Sequence, residues 1–398
     1  MKASERCSTE AKMNITSTDN TFVAATYGRF PIELSHGKGS LVYDTNGKEY
    51  IDMGTGIAVN GFGLCDDEWN NAVKSQLDSL AHTSNLYYTE PCAKLAELLC
   101  TRTGMKKVFF SNSGAEANEC AIKTARRYSF QKYGEGRSTI VTLKNSFHGR
   151  TITTLAATGQ DSFHTEFGPF TDGFAYAEAH NIESVITSTK ENNACAIMME
   201  LVQGEGGVMK LDEAFVKAVY NFCLENDILL IIDEVQTGNG RTGTLYAFEQ
   251  FGIMPDILST AKGLGGGLPI GATLFADKTK DVLTPGSHGS TFGGNPVCAA
   301  GAYNIVSRID DNLLADVKAK SDYIFSALSN AKGIKSVSGM GLMIGLETEK
   351  DAKQIVSECR ENGVLVLTAK QKVRLLPALN IPMKELKKAI EIIKECVK

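Results

Sequence analysis

Four polar segments interrupt apolar runs, and each falls where a strand is expected to end. The first, Ser111-Asn112-Ser113-Gly114-Ala115-Glu116-Ala117, follows Val108-Phe109-Phe110. Ser113 and Glu116 have the spacing of a helix capping box. Gly114 and Ala115 leave the first N–H groups of that helix uncovered. Such a terminus attracts a phosphate through its free donors and the helix dipole. A plain capped helix fits the same residues. The second segment, Asp233-Glu234-Val235-Gln236-Thr237-Gly238, follows the apolar run 228–232. An acid at the carboxyl end of a buried parallel strand lies on the ligand side of an open α/β sheet. Buried, it needs a partner. A protonated ring nitrogen would serve, and so would a metal or an arginine such as Arg241. A structural ion pair is the alternative.

The third segment is Ser259-Thr260-Ala261-Lys262-Gly263-Leu264-Gly265-Gly266-Gly267-Leu268-Pro269. It is not a P-loop, because Lys262 precedes the glycines, and it is not a dinucleotide fingerprint, because the last glycine of that pattern falls on Leu268. A lysine flanked by small residues lets a planar ligand approach and its amine form a Schiff base. A surface lysine at a turn is the plainer reading. The fourth, Ser287-His288-Gly289-Ser290-Thr291-Phe292-Gly293-Gly294-Asn295-Pro296, offers hydroxyl and backbone donors to phosphate oxygens, or is an ordinary turn-rich loop.

The elements that must carry these segments are short continuous apolar runs at 108–110, 139–143, 196–199, 228–232 and 271–275. Continuous apolarity predicts strands covered on both faces, hence a mostly parallel sheet. Leu211, Phe215, Ala218 and Phe222 recur at helical spacing between them, and strand-helix alternation is the α/β pattern. The last ninety residues change character. Helices are expected near 313–331, 352–361 and from Met383, with strands at 335–337, 343–346, 364–367 and 373–376. The opening segment reads as short strands and turns that pack with this C-terminal part. The expected division is therefore 1–60 with the small domain, 61–305 as the large domain and 306–398 as a small α+β domain.

Composition narrows the function classes. The 398 residues are 43% hydrophobic and 22% charged, which excludes a disordered chain. A net charge of −5 excludes a basic nucleic-acid footprint. No apolar run approaches the roughly 20 residues of a membrane helix. The 10 cysteines are scattered without CxxC spacing, so no metal site is expected and a reducing cytoplasm fits. Cys120, Cys195 and Cys223 read as small buried hydrophobes. The start of the chain is polar, with Glu5, Glu10 and Asp19 and no apolar core of a signal peptide; Met13 is a candidate alternative start.

Together and in this order, four motifs resemble those of the class III pyridoxal-phosphate aminotransferases, which have the type I pyridoxal-phosphate fold. They are Asn112-Ser113-Gly114-Ala115-Glu116-Ala117-Asn118, Phe147-His148-Gly149-Arg150, Gln203-Gly204-Glu205-Gly206-Gly207 and Asp233-Glu234-Val235-Gln236-Thr237-Gly238. The resemblance runs from Tyr27-Gly28-Arg29-Phe30-Pro31 to the C-terminal helix. Ala58-Val59-Asn60 and His82-Thr83-Ser84-Asn85-Leu86-Tyr87-Tyr88 are most similar to the acetylornithine branch. The resemblance implies transfer of the δ-amino group of N2-acetyl-L-ornithine to 2-oxoglutarate, giving glutamate, in arginine biosynthesis.

It also implies roles. Lys262 would carry pyridoxal 5′-phosphate and move the proton. Asp233 would keep the ring nitrogen protonated. Gln236 would bond the ring's phenolic oxygen. Gly114 and Ala115 would donate to the phosphate, and Phe147 would stack on the ring; Glu234 and Val235 complete the cofactor-binding set. Thr291, with Ser290 beside it, would reach the site from a partner subunit, making a homodimer with shared active sites. Arg150 would hold the far carboxylate of each substrate and Arg374 the α-carboxylate of glutamate, with Glu205 neutralising Arg374 in between. His148 is expected to support its loop rather than act as a base, and His36, His164 and His180 have no expected role. Two departures stand out. The family's His-x-His-Pro run is Leu64-Cys65-Asp66-Asp67-Glu68 here, and its proline after the glutamate of the third strand is Leu201. Rival readings are the sister succinylornithine, ornithine, N-acetyl-lysine and 4-aminobutyrate aminotransferases, an aminomutase acting on glutamate semialdehyde, a nicotinamide-dependent oxidoreductase and a non-catalytic scaffold.

Overall fold

A computed structural model describes residues 15–398; Cys7, Glu5, Glu10 and the candidate start Met13 lie outside the described residues. Seven strands build the large sheet: β1 (Lys107–Ser111), β2 (Thr139–Leu143), β3 (Phe174–Ala177), β4 (Ala194–Met199), β5 (Leu229–Asp233), β6 (Ile257–Thr260) and β7 (Gly271–Phe275). Their order across the sheet is β1-β7-β6-β5-β4-β2-β3. Neighbours from β6 to β3 are parallel. β7 is antiparallel to both β6 and β1.

Alternation within the buried strands explains the layers. Ile140, Ala196, Met198, Leu229, Ile231 and Ile257 face Cys120, Ala121, Ile122 and Ala125 of the helix Gly114–Tyr133. Val141, Ile197, Met199, Leu230, Ile232 and Leu258 face the opposite layer, where Phe215, Val216, Val219 and Cys223 of the helix Glu213–Asn226 pack. Both faces are covered, so every residue of β4 and β5 is buried. Cys120, Cys195 and Cys223 are all buried. The helix Glu213–Asn226 turns one position from the expected stripe: Phe215 is in the core, but Val216 and Val219 are buried where Ala218 and Phe222 were expected.

The chain ends meet. Glu49–Asp52 pairs in parallel with Val364–Leu365, through Ile51 opposite Val364 and Asp52 opposite Leu365. Ile51 and Met53 enter the same core as Ile324, Leu346, Ile355, Ile390 and Ile393. A second, antiparallel sheet orders Ile334–Met340, Met343–Thr348, Lys372–Leu375 and Leu367–Ala369. The expected single strand at 364–367 is two strands in two sheets, because the chain changes sheets at the buried Val366. β3 and β6 were not among the expected strands.

Candidate active site

The carboxyl ends of β1, β2, β4, β5 and β6, and the start of the oppositely directed β7, meet at one edge of the large sheet. There they line a cavity of ≈ 490 Å³ whose walls include Asn112, Gly114, Ala115, Phe147, Arg150, Glu200, Asp233, Val235, Gln236, Lys262 and Ile270. This is the ligand side of an open α/β sheet.

Each wall has a local cause. Ser113 caps the helix Gly114–Tyr133, its hydroxyl accepting from Glu116 N at 3.2 Å. The reciprocal arm reaches one residue further back than in a capping box: Glu116 accepts from Asn112 N at 2.8 Å. The first N–H groups of the helix have no acceptor one turn earlier. At Gly114 a Cβ would lie 2.7 Å from Val235 Cγ1, so only glycine lets this helix start approach the wall.

Asp233 ends β5 and is 3% exposed. Its Oδ2 accepts from Asn118 Nδ2 at 2.8 Å and meets His148 Nδ1 at 2.8 Å; its Oδ1 accepts from Val235 N at 3.0 Å. A carboxylate only accepts, so His148 Nδ1 carries the proton. His148 Nε2 is buried without a partner among the described residues. Arg241, a possible partner for Asp233 in sequence terms, donates instead to Leu342 O and Pro377 O at 3.1 and 2.5 Å.

Lys262 follows β6 and enters a short 3-10 turn with φ of +45°. Burial lowers the pKa of its amine; the carboxylates of Glu205, Asp233 and Glu200 oppose that shift and Arg374 adds to it. Glu200 follows β4 and ties two loops, accepting from Phe147 N at 2.9 Å and Gly204 N at 3.2 Å. Burial pushes its carboxyl up to about 7, with the Asp233 charge adding and His148 opposing. Arg374 is 3% exposed and meets Glu205 Oε1 at 2.6 Å through Nη1, which also donates to Gln236 Oε1 at 3.4 Å. Arg150 is exposed at the mouth and, among the described residues, has no ion pair; its guanidinium lies over the rings of Phe163 and Phe147.

Gly114, Ala115, Phe147, Arg150, Asp233, Val235, Gln236 and Lys262 therefore share one cavity. Glu205 and Arg374 do not line it and connect to it through Gln236. Glu234 turns away: its carboxyl accepts from Thr237 Oγ1 and Phe248 N, under the loop. Thr291 is exposed and Ser290 Oγ accepts from Asn112 Nδ2 at the rim, at 3.1 Å; neither lines the cavity of its own chain. Sequence reasoning missed the contacts of Asn118 and His148 with Asp233, and it gave Glu200 no role. Glu200 was findable by the rule that singled out Asp233, an acid directly after a continuous apolar strand.

The donor set suits a planar anionic ligand with a protonated ring nitrogen. Phe147 and Val235 supply apolar faces, Asp233 a held carboxylate, the start of the helix Gly114–Tyr133 backbone N–H donors and Lys262 an amine. The family model for class-III aminotransferases matches residues 22–397, and the chain belongs to that family, as a pyridoxal-phosphate-dependent aminotransferase. It is 51% identical over 377 residues to the acetylornithine aminotransferase of Haemophilus ducreyi, covering 94% of this chain and 96% of the relative. It is 44% identical over 375 residues to that of Methanocaldococcus jannaschii, covering 93% and 94%. Among solved structures, it resembles the ornithine aminotransferase of Toxoplasma gondii with a TM-score of 0.92 at 30% identity, covering 96% of this chain and 94% of that one. It resembles the N-acetylornithine aminotransferase of Stenotrophomonas maltophilia with a TM-score of 0.83 at 32% identity, covering 96% and 98%.

Proposed function

We propose that this enzyme moves the δ-amino group of N2-acetyl-L-ornithine to 2-oxoglutarate in two half-reactions, as a cytoplasmic step of arginine biosynthesis. The carrying observation is the pair of unlike arginines: Arg150 open at the mouth, Arg374 buried against Glu205. The donor reacts at its terminal amine and presents a single, distant carboxylate. Glutamate presents a carboxylate at each end. One pocket serves both if Arg150 takes the distant carboxylate each time, and Arg374 is released from Glu205 only for glutamate. An unpaired Arg374 would be costly, since a buried charge without a partner is strongly destabilising. The acetylornithine aminotransferases among its relatives support the same donor.

Bound pyridoxal phosphate supplies an electron sink for bond breaking at the carbon that bears the reacting amine. Asp233, oriented by His148 and Asn118, would hold a proton on the ring nitrogen. Gly114 and Ala115 would hold the phosphate, Phe147 and Val235 the ring faces and Gln236 the phenolic oxygen. Lys262 Nζ would anchor the group and then take the proton from the reacting carbon; its lowered pKa keeps more of the amine free to do so.

A homodimer with shared sites belongs to the same proposal. Thr291 and Ser290 lie outside the lining of their own cavity, on the segment that carries exposed Phe292, and with exposed Leu86, Tyr87 and Tyr88 they offer an apolar surface suited to a second copy. The divisions at residues 60 and 305 are likewise proposed. Ornithine aminotransferase is the second reading, favoured by the Toxoplasma gondii resemblance.

The test is the visible spectrum of the enzyme loaded with pyridoxal phosphate, on separate addition of N-acetylornithine, succinylornithine, ornithine and 4-aminobutyrate. The expected result is the fastest change with N-acetylornithine, reversed by 2-oxoglutarate. A faster change with another amine would assign the enzyme to that donor. No change with any amine would end the aminotransferase reading of Lys262.

A further inference from the structure

We propose that Phe163 is a positioning residue that sets how tightly the substrate's distant carboxylate is held. The inference rests on the reading of Arg150 as the group that receives this carboxylate. Phe163 ends the short 3-10 turn Asp161–Phe163 and is not part of the cavity wall. Its ring centroid is 4.4 Å from Arg150 Cζ, closer than the 5.5 Å from Phe147 to the same atom. The two rings meet edge to face, centroids 5.7 Å apart at 65°. The guanidinium thus touches a mutually packed pair of rings.

An exposed arginine normally spends its rotamer freedom in solvent, and fixing it costs binding energy. Here that freedom is already restricted before substrate arrives. The guanidinium carbon lies over the ring quadrupoles, and among the described residues its N–H groups have no acceptor, which leaves them for the fork geometry of a carboxylate. The two contacts do not compete.

Phe163 is itself tied to the loop it steadies. Its N donates to Gln160 O at 3.0 Å, and Gln160 Nε2 donates to Ser146 O at 2.9 Å. Gly159 N donates to Ser146 Oγ at 3.0 Å. Ser146 directly precedes Phe147, so the turn bearing Phe163 and the loop bearing Phe147 and Arg150 are pinned at one residue. The arrangement fixes the spacing between the group that stacks on the cofactor and the group that binds the carboxylate. That spacing selects substrates by the separation of reacting amine and distant carboxylate.

The experiment compares two donors in the holoenzyme: N-acetylornithine and N-acetyl-1,4-diaminobutane, the same amine without the carboxylate. Phe163→Leu keeps an apolar side chain but no ring face; Phe163→Tyr keeps the ring. In Phe163→Leu the preference for the carboxylated donor, as a ratio of kcat/KM values, is expected to fall about five-fold, the size of one cation–π contact. The loss should sit in KM for N-acetylornithine and for 2-oxoglutarate, and Phe163→Tyr should restore the preference. A Phe163→Leu enzyme with the wild-type preference, or with both donors impaired equally, overturns the inference. Arg150→Ala separates this from the reading beneath it. If Arg150→Ala keeps the preference, Arg150 does not receive the carboxylate and both fall. If Arg150→Ala abolishes the preference and Phe163→Leu does not lower it, the role of Phe163 alone falls.

Discussion

Removing Glu205 should change which substrate the enzyme prefers, because Glu205 pairs with the arginine proposed to receive glutamate. The pair is close, at 2.6 Å, with Arg374 almost wholly buried and the Glu205 side chain 30% exposed. Exposed pairs contribute about 0.2–1 kcal/mol, and breaking buried ones costs about 3–5 kcal/mol. A pair with one buried and one half-open partner falls between, at about 2 kcal/mol. In the proposed switch glutamate breaks this pair to reach Arg374, so Glu205→Ala removes that cost. N-acetylornithine gains nothing, and it meets an uncompensated cation in the pocket. The ratio of kcat/KM for the glutamate half-reaction to that for N-acetylornithine should therefore rise about 30-fold, the equivalent of about 2 kcal/mol. Stopped-flow absorbance of the loaded enzyme with each amino donor measures both values without the second half-reaction. Glu205→Gln, which still accepts a hydrogen bond but carries no charge, should give a smaller rise. An unchanged ratio in Glu205→Ala would refute the switch, whatever happened to the absolute rates.

Three further outcomes are expected. Gly114→Ala should weaken retention of pyridoxal phosphate, because the new methyl would lie 2.7 and 2.9 Å from the two Val235 methyls; Gly114→Ala with Val235→Ala should recover much of it, as read by equilibrium dialysis of the cofactor. Glu234→Gln should flatten part of the pH dependence of stability. Burial pushes the Glu234 carboxyl up from 4.5 to about 7, so its contribution is fully present below about 4.5 and is lost as pH rises to 7. Relative to wild type, the variant should gain on the order of 3 kcal/mol across that window, seen as a narrowing gap and then a crossing in melting temperature between pH 5 and 7.5. Asp66→Ala should lower stability by about 2 kcal/mol, combining a lost helix cap and a lost ion pair, measured as a shift in the urea midpoint. Asp66 caps the helix Asp67–Ser79 through Trp69 N at 2.9 Å and holds Arg308 by both oxygens at 2.6 and 3.0 Å.

The last of these shows how much could be read from residues alone. The departure at Leu64-Cys65-Asp66 was visible in the sequence, but its replacement was not: Asp66 takes up Arg308, 242 positions away. The buried strands β2, β4, β5 and β7 were legible because continuous apolar runs have one cheap solution, a sheet covered on both faces. The direction of β7 was not, since an apolar run reads the same in both senses. β6 escaped because half of it is polar. Ser259 and Thr260 are buried only because Ser259 Oγ donates to Asn118 Oδ1 at 2.5 Å and Asn239 Nδ2 donates to Thr260 Oγ1 at 3.0 Å. Both partners come from other elements, and no local pattern announces them.

Those same bonds explain why the site sits where local rules fail. Asn118 joins Ser259 of β6 to Asp233 of β5, so the carboxylate is oriented by the strand that delivers the lysine. Lys262 adopts φ of +45°, a region an L-residue enters at a cost of roughly 1 kcal/mol. Asn239, itself at φ of +56°, donates to Thr260 Oγ1 and, at 3.3 Å, to Ala261 O, holding the two residues before that turn. A helix or strand propensity would not select this conformation at a lysine. Hydrogen bonds from outside the turn can hold it there, and such strain persists only where the surroundings over-determine it. Two buried hydrogen-bond chains that meet at adjacent residues of β6, Asn239–Thr260 and Ser259–Asn118–Asp233–His148, thereby hold the carboxylate and the backbone that leads into Lys262.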